Sequence, residues 1–162
     1  MKNGQYLYKK HTIPCLIGIL ILLVSGCSSS QKSYRQYSTN PKYQQIISTA
    51  KAQIGKPYHY GGTSPKTGFD CSGLINFSYK KAGLTIPRTT TQLYKASSPV
   101  EKRYLKRGDL VFFRINRRKI SHVGLYLGNG KFVHAPSSGK RVNIANMNDK
   151  YWRLRFTRGG RI

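Results

Sequence analysis

Cys71, His122 and His134 are the side chains of this sequence whose types and placing suit nucleophilic acyl transfer. Cys71 stands in Gly68-Phe69-Asp70-Cys71-Ser72-Gly73, where a helical period begins. A cysteine in the first turn of a helix points its sulfur at unpaired backbone N–H groups and at the positive end of the helix dipole. Thiolate is thereby favoured, and helix-start cysteines titrate at about 3.5–7.5. Such a nucleophile needs a proton acceptor and donor at its side, most often histidine. His59 falls in a Gly- and Pro-rich stretch and reads as a loop residue. His122 and His134 fall in β-prone runs, Ser121-His122-Val123-Gly124-Leu125-Tyr126-Leu127 and Phe132-Val133-His134-Ala135, separated by Gly128-Asn129-Gly130.

Whether the two histidines meet depends on that turn. Side chains alternate faces along a strand, so one residue of slip moves a side chain to the other face. A plain two-residue Asn129-Gly130 turn pairs Leu127 with Phe132 and puts the histidines on opposite faces. A three-residue loop, Gly128 to Gly130, pairs Leu127 with Lys131 and makes them diagonal neighbours on one face. That loop wants glycine at its last, left-handed position, which Gly130 supplies. The three-residue form is therefore expected, and a five-residue loop would serve equally. His122 then reaches Cys71 while His134 orients it from behind, the nucleophile, base and orienter arrangement of papain-like enzymes. The oxyanion of acyl transfer also needs donors. The N–H of Cys71 is one candidate, and the phenols of Tyr58 and Tyr60 compete for the second place.

The elements that must position these groups are legible as periods. Ile46, Ile47, Ala50 and Ile54 recur at helical spacing from Tyr43 to a stop at Gly55. A loop follows over 56–69. A second helix runs from Cys71 to Ala82, closed by Gly83, and a shorter one covers Thr90 to Ala96. After Gly108 come short strands at Leu110–Phe113, His122–Leu127, Lys131–Ala135 and Arg141–Ile144, with a last one through Trp152, Leu154 and Phe156. Helices followed by an antiparallel meander of about five strands predict an α+β fold with N-terminal helices packed on one sheet face.

The start of the chain reads as an export signal. Lys2, Lys9, Lys10 and His11 precede an apolar run from Ile13 to Val24. That run is too short for a bilayer span, which needs about 20 residues. It ends in Val24-Ser25-Gly26-Cys27, which resembles a bacterial lipobox. On that reading residues 1–26 are removed, Cys27 carries lipid, 27–43 form a Ser- and Gln-rich tether, and 44–162 form the domain. Similar lipoproteins retained at the inner membrane usually carry Asp after the lipidated cysteine, so by that resemblance Ser28 implies the outer membrane, facing the periplasm, in a cell that has one. Cys15 leaves with the signal, so Cys71 is left as a lone thiol with no disulfide partner. The formal net charge of +25, from 29 basic and 4 acidic side chains, draws the chain to polyanions. Anionic envelope polymers and peptide carboxylates fit an exported protein. Nucleic acid does not, being in another compartment.

The run Pro57-Tyr58-His59-Tyr60-Gly61-Gly62 through Phe69-Asp70-Cys71-Ser72-Gly73-Leu74 resembles the signature of the NlpC family of cell-wall cysteine endopeptidases. Leu84-Thr85-Ile86-Pro87-Arg88, Gly108-Asp109-Leu110-Val111-Phe112-Phe113 and the two histidine motifs follow in that family's order, over about residues 44–161. The resemblance implies a papain-like fold with Cys71 as nucleophile, His122 as base and His134 as the third, orienting residue. It selects Tyr58 over Tyr60 as oxyanion donor. It gives Asp70 and Ser72 a part in binding the amino group of a peptidoglycan stem peptide or in shaping the site, although Asp70 could equally cap the second helix. The implied reaction is hydrolysis of a stem-peptide bond, γ-D-glutamyl–diamino acid or D,D cross-link, without metal or organic cofactor. A catalytically idle envelope-binding module, an acyltransferase or amidase, and a nucleic-acid binder are the competing readings. The first has no need of Cys71, His122 and His134 together. The second wants an apolar groove, whereas the loop residues Pro57 to Thr67 are polar. The third needs base-stacking aromatics in an ordered basic groove and stands in the wrong compartment.

Overall fold

In the computed structural model, which describes Met1, residues 40–116 and residues 119–162, the chain enters its first helix, α1 (Pro41–Lys51), at Asn40. The Asn40 side chain accepts from the Lys42 N–H, and Pro41 occupies the first turn, where a missing N–H costs nothing. The helix thus starts two residues before Tyr43. Ile46, Ile47 and Ala50 are buried as the helical spacing predicts. Ile54 is not: it lies past the helix end and is 45% exposed. Apart from Met1, the expected signal, Cys27 and residues 28–39 of the expected tether lie outside the described residues, and the last tether positions, 41–43, are already helical.

The 56–69 loop contains a small ribbon, β1 (Thr63–Ser64) against β2 (Gly68–Phe69). The second helix, α2 (Cys71–Lys81), follows, with Gly83 left-handed just beyond its end. The third, α3 (Thr90–Ala96), opens with a capping box in which Thr89 and Gln92 satisfy each other's backbone N–H groups.

The sheet has six antiparallel strands, one more than expected: β3 (Ser98–Val100), β4 (Leu110–Phe113), β5 (His122–Gly128), β6 (Lys131–His134), β7 (Asn143–Asn146) and β8 (Phe156–Arg161), in the order β3-β8-β4-β5-β6-β7. Ser98-Pro99-Val100 carries no strand period of its own and is held by pairing with β8. Arg141 and Val142 are drawn out of the expected strand because Arg141 bridges Pro57 and the Val142 N–H donates to the Lys56 carbonyl, so β7 begins at Asn143. Trp152 and Leu154 are not in a strand. Trp152 lies in a short helix, α4 (Lys150–Arg153), and Leu154 caps it, because the Trp152 ring is committed to packing on Phe113 and Phe132. Only Phe156 of that trio is in the last strand.

One sheet face, with Leu110, Phe112, Val123, Leu125 and Val133, packs on Ile46, Ile47, Leu74 and Ile75 of the helices. The other carries Val111, Phe113, Phe132 and Met147, with Trp152 and Phe156 against them. Each such fully buried side chain contributes roughly 1.5–3 kcal/mol. At the foot of β4, Asp109 is fully buried and paired with Arg161 of β8 through Nε–Oδ1 at 2.8 Å and Nη2–Oδ2 at 2.7 Å. Among the described residues no helix is long and apolar enough to cross a membrane.

The β5–β6 hairpin keeps the expected register by an unexpected device. Leu125 pairs with Val133 and Tyr126 with Phe132, as the Leu127–Lys131 register requires. At the tip, however, Gly128 pairs with Lys131 across a two-residue Asn129-Gly130 turn, both residues having positive φ (51° and 72°). A bulge between Tyr126 and Gly128 absorbs the odd residue. The parity lost in the turn is restored by the bulge, and the histidines share a face.

Candidate active site

Helix α2 presents Cys71 at its first position because Asp70, in extended backbone, caps it: Asp70 Oδ1 accepts from the Gly73 N–H at 2.6 Å. The Cys71 sulfur lies 3.5 Å from Thr90 Oγ1 and accepts from the Val123 N–H, which brings it to the start of β5, at the residue that follows His122 in the chain. The expected thiolate is not the resting form. Burial pushes the Cys71 thiol up, and the hydrogen bonds from Thr90, Val123 and Ser72 do not offset it. The sulfur has been taken out of water, and desolvation of the charge outweighs the helix start.

His122 Nε2 and His134 Nδ1 are 2.8 Å apart, and His134 Nε2 lies 3.1 Å from Asn143 Oδ1. Trp152 covers this pair, stacked on the His122 ring at 5.5 Å and edge-on to His134 at 4.9 Å. Both imidazoles are buried, at 4% and 2% exposure. Burial, with the neighbouring His134, pushes His122 down to about 3. Burial also pushes His134 down, to about 4, with Lys140 adding and the Asn143 hydrogen bond opposing. Both rings are therefore neutral at pH 7. Unfolded histidines titrate near 6.5, so at pH 5 the unfolded chain binds about two protons here that the folded chain does not. A folded pKa below the unfolded one means stability present at neutral pH and lost as the pH falls through 6.5. The urea midpoint is expected to drop between pH 7 and pH 5, with about half that drop in His134→Asn.

The helix-start thiol meets β5 at Val123, next in sequence to a His122 that is hydrogen-bonded to His134 on β6, and the NlpC/P60 family profile matches residues 55–161. The chain belongs to the NlpC/P60 family. It is 46% identical over 114 residues to the murein DD-endopeptidase MepH of Escherichia coli, covering 68% of this chain and 42% of that protein. It is 33% identical over 157 residues to the bifunctional muramidase/DL-endopeptidase CwlT of Bacillus subtilis, covering 96% and 46%. The chain thus spans less than half the length of either relative. An NlpC/P60 family protein of Bacillus cereus superposes with a TM-score of 0.70 at 34% identity, covering 76% of this chain and 41% of that one. These neighbours share the α+β, papain-like fold.

The NlpC/P60 signature glycines have a steric reason here. A Cβ on Gly73 would lie 2.0 Å from the Gly62 carbonyl oxygen, which accepts from the Asp70 N–H at 3.1 Å. Glycine in α2 thus lets the loop holding Tyr58 press on the helix start. Tyr58 is half-buried there, and burial first, then the neighbouring acidic groups of Cys71 and Asp70, push its phenol up, so it stays a hydrogen-bond donor. Tyr60 is 86% exposed.

Asp70 does more than cap. Arg88 Nη2 donates to its Oδ2 at 2.8 Å and Arg88 Nη1 to its Oδ1 at 3.1 Å. Ser72 Oγ donates to Oδ1 at 3.1 Å and accepts from Arg88 Nη1 at 2.9 Å, and the Gly61 N–H donates to Oδ2. Burial works against the Asp70 charge, but the Arg88 hydrogen bonds and the Gly73 N–H outweigh it and hold the carboxyl below its ordinary value. Asp70 and Ser72 therefore form one network with Arg88.

Sequence reasoning assigned no role to Thr90, Arg88, Trp152 or Asn143. Arg88 follows Pro87 directly before the Thr89 capping box, a signal that fixes its position in the chain but not its partner. Nothing in the local pattern of Trp152 or Asn143 announces a histidine neighbour.

Proposed function

We propose that this chain is a peptidoglycan endopeptidase that cleaves a stem-peptide bond through Cys71, His122 and His134. The observation that carries the reading is the 2.8 Å His122–His134 contact at the strand whose Val123 N–H meets the Cys71 sulfur. Cys71 attacks the scissile carbonyl as its proton passes to His122, and the oxyanion is held by the Cys71 N–H and the Tyr58 hydroxyl. His122 then returns the proton to the departing amine, leaving a thioester on Cys71. Water, deprotonated by His122, releases the acid and regenerates the thiol. His134 orients His122 throughout. Asp70 and Ser72, with Arg88, shape the rim where the peptide's amino group would lie.

Relatives named for DD- and DL-endopeptidase activities support a stem-peptide substrate and leave both bond types open to test. The reading includes a lipid on Cys27, tethering the domain to the outer membrane on its periplasmic side. The basic surface would then serve capture of anionic envelope polymers. The deciding experiment is digestion of purified peptidoglycan by the chain lacking residues 1–27, with Cys71→Ala as control and products identified by mass spectrometry. New stem-peptide fragments absent from the control name the bond. No cleavage, with tight sedimentation onto the sacculi, would overturn the enzyme in favour of an envelope-binding module.

A further inference from the structure

The His122–His134 contact does not end at His134. Asn143 stands directly opposite His134 across the β6–β7 ladder, on the edge strand of the sheet. Cross-strand partners of this kind are within reach of each other's side chains. The Asn143 amide has only one consistent orientation. Its Nδ2 donates to the Arg141 carbonyl at 3.0 Å, which leaves Oδ1 toward His134 Nε2 at 3.1 Å. The flipped amide would set two carbonyl oxygens against each other, one from Asn143 and one from Arg141.

An amide oxygen can only accept, so His134 Nε2 must carry its hydrogen. A neutral imidazole has one N–H, so His134 Nδ1 presents a lone pair and accepts from His122 Nε2–H across the 2.8 Å contact. That fixes the His122 hydrogen on Nε2 and leaves Nδ1 as its basic nitrogen. We propose that Asn143 is a positioning residue which, through a directed hydrogen-bond chain from the Arg141 carbonyl over Asn143 and His134, sets His122 in the tautomer whose Nδ1 is free to take the Cys71 proton.

The anchor of the chain is itself tied down. Arg141 bridges Pro57 and its Nη1 donates to the Gly55 carbonyl at 2.9 Å, while the neighbouring Val142 N–H donates to the Lys56 carbonyl. The backbone that aims Asn143 is therefore fastened to the segment leading into Tyr58. The role in turnover rests on the proposed hydrolase, but the tautomers do not, and they can be measured separately.

The test is ¹⁵N NMR of histidine-labelled chain, wild type beside Asn143→Leu and Asn143→Asp, with steady-state kinetics on stem-peptide substrate. Wild type is expected to carry hydrogen on Nε2 of both His122 and His134. Asn143→Leu, which removes the acceptor at similar size, should give mixed His134 tautomers and lower kcat by about ten- to a hundredfold with KM unchanged. This is less than the ~10⁴-fold of a triad histidine held in the wrong tautomer, since His134 still samples the right one. Asn143→Asp, which keeps an acceptor toward His134 Nε2 but sets its other oxygen against the Arg141 carbonyl, should keep the wild-type tautomers, with a kcat between those of the wild type and Asn143→Leu. His134 hydrogen on Nδ1 in the wild type would overturn the proposal, a result available even if Asn143→Leu fails to fold. So would an Asn143→Leu protein with unchanged tautomers and kcat. Correct tautomers in a chain that cleaves no peptidoglycan would instead sink the hydrolase and leave the relay standing.

Discussion

His122→Ala is expected to lower kcat by roughly 10⁴-fold or more while leaving KM within a fewfold, as for loss of the base in other nucleophile–histidine enzymes. The size follows from the state of the nucleophile. Burial holds Cys71 as a thiol, and its hydrogen bonds to Thr90 and Val123 do not reverse this. On the proposed mechanism His122 takes the sulfur's proton and returns it to the departing amine, so its loss removes both steps. The loss should appear equally in His122→Gln, which fills more of the space against Trp152 and so separates chemistry from packing. A substrate-free measurement accompanies it: iodoacetamide alkylation of Cys71 near neutral pH should slow in both variants, because the base that helps generate thiolate is gone. Alkylation at the wild-type rate together with wild-type turnover would remove His122 from the mechanism.

Arg161→Leu is expected to cost about 3–5 kcal/mol of stability, the range found when one partner of a buried ion pair is removed. Asp109 is fully buried, and the Arg161 guanidinium meets both of its oxygens. The Lys106 N–H also donates to Oδ2 at 2.7 Å, but a neutral donor does not replace a cation. The same residue carries structure on its backbone: the Asp109 carbonyl accepts from the Tyr126 N–H, and the Gly108 N–H donates to the Tyr126 carbonyl. Loss of Arg161 therefore strains the junction of β8, β4 and β5 just where the bulge sets the histidine register. Thermal melts should show a fall of roughly 10–20 °C. The double variant Asp109→Leu with Arg161→Leu, which removes the buried charge as well as its partner, should recover a large part of it.

Local periodicity carried far in this chain. Helix boundaries at Cys71 and Thr90 were readable because caps and stops are written in neighbouring residues: Asp70 and Gly83 for one, Thr89 and Gln92 for the other. The pairing of His122 with His134 was readable because strand parity is arithmetic. What failed were features decided by distant partners. Trp152, Leu154 and Phe156 alternate as a strand should, yet the Trp152 ring is claimed by Phe113 and the histidines, and a helical turn delivers it there. Arg141 and Val142 left their strand for Lys56 and Pro57, and β3 exists only because β8 pairs with it. The site divides the same way. Cys71, His122 and His134 stood out by residue type, whereas Arg88, Thr90 and Asn143 acquire meaning only from what folding sets beside them. The thiol's ionisation was misjudged because a helix-start argument counts the dipole and omits the water removed by packing.

The neutral resting state of Cys71 bears on the chemical lifetime of the protein. Peroxides and disulfides react with thiolate, and the ladder from sulfenic to sulfonic acid is climbed from that form. A sulfur that is 9% exposed and held protonated offers oxidants little to attack. A lone thiol kept permanently ionised would be consumed steadily wherever disulfides are the stable form. On the proposed mechanism the thiolate forms only transiently, by proton transfer to His122, so durability between turnovers and reactivity within one would be properties of the same buried contact.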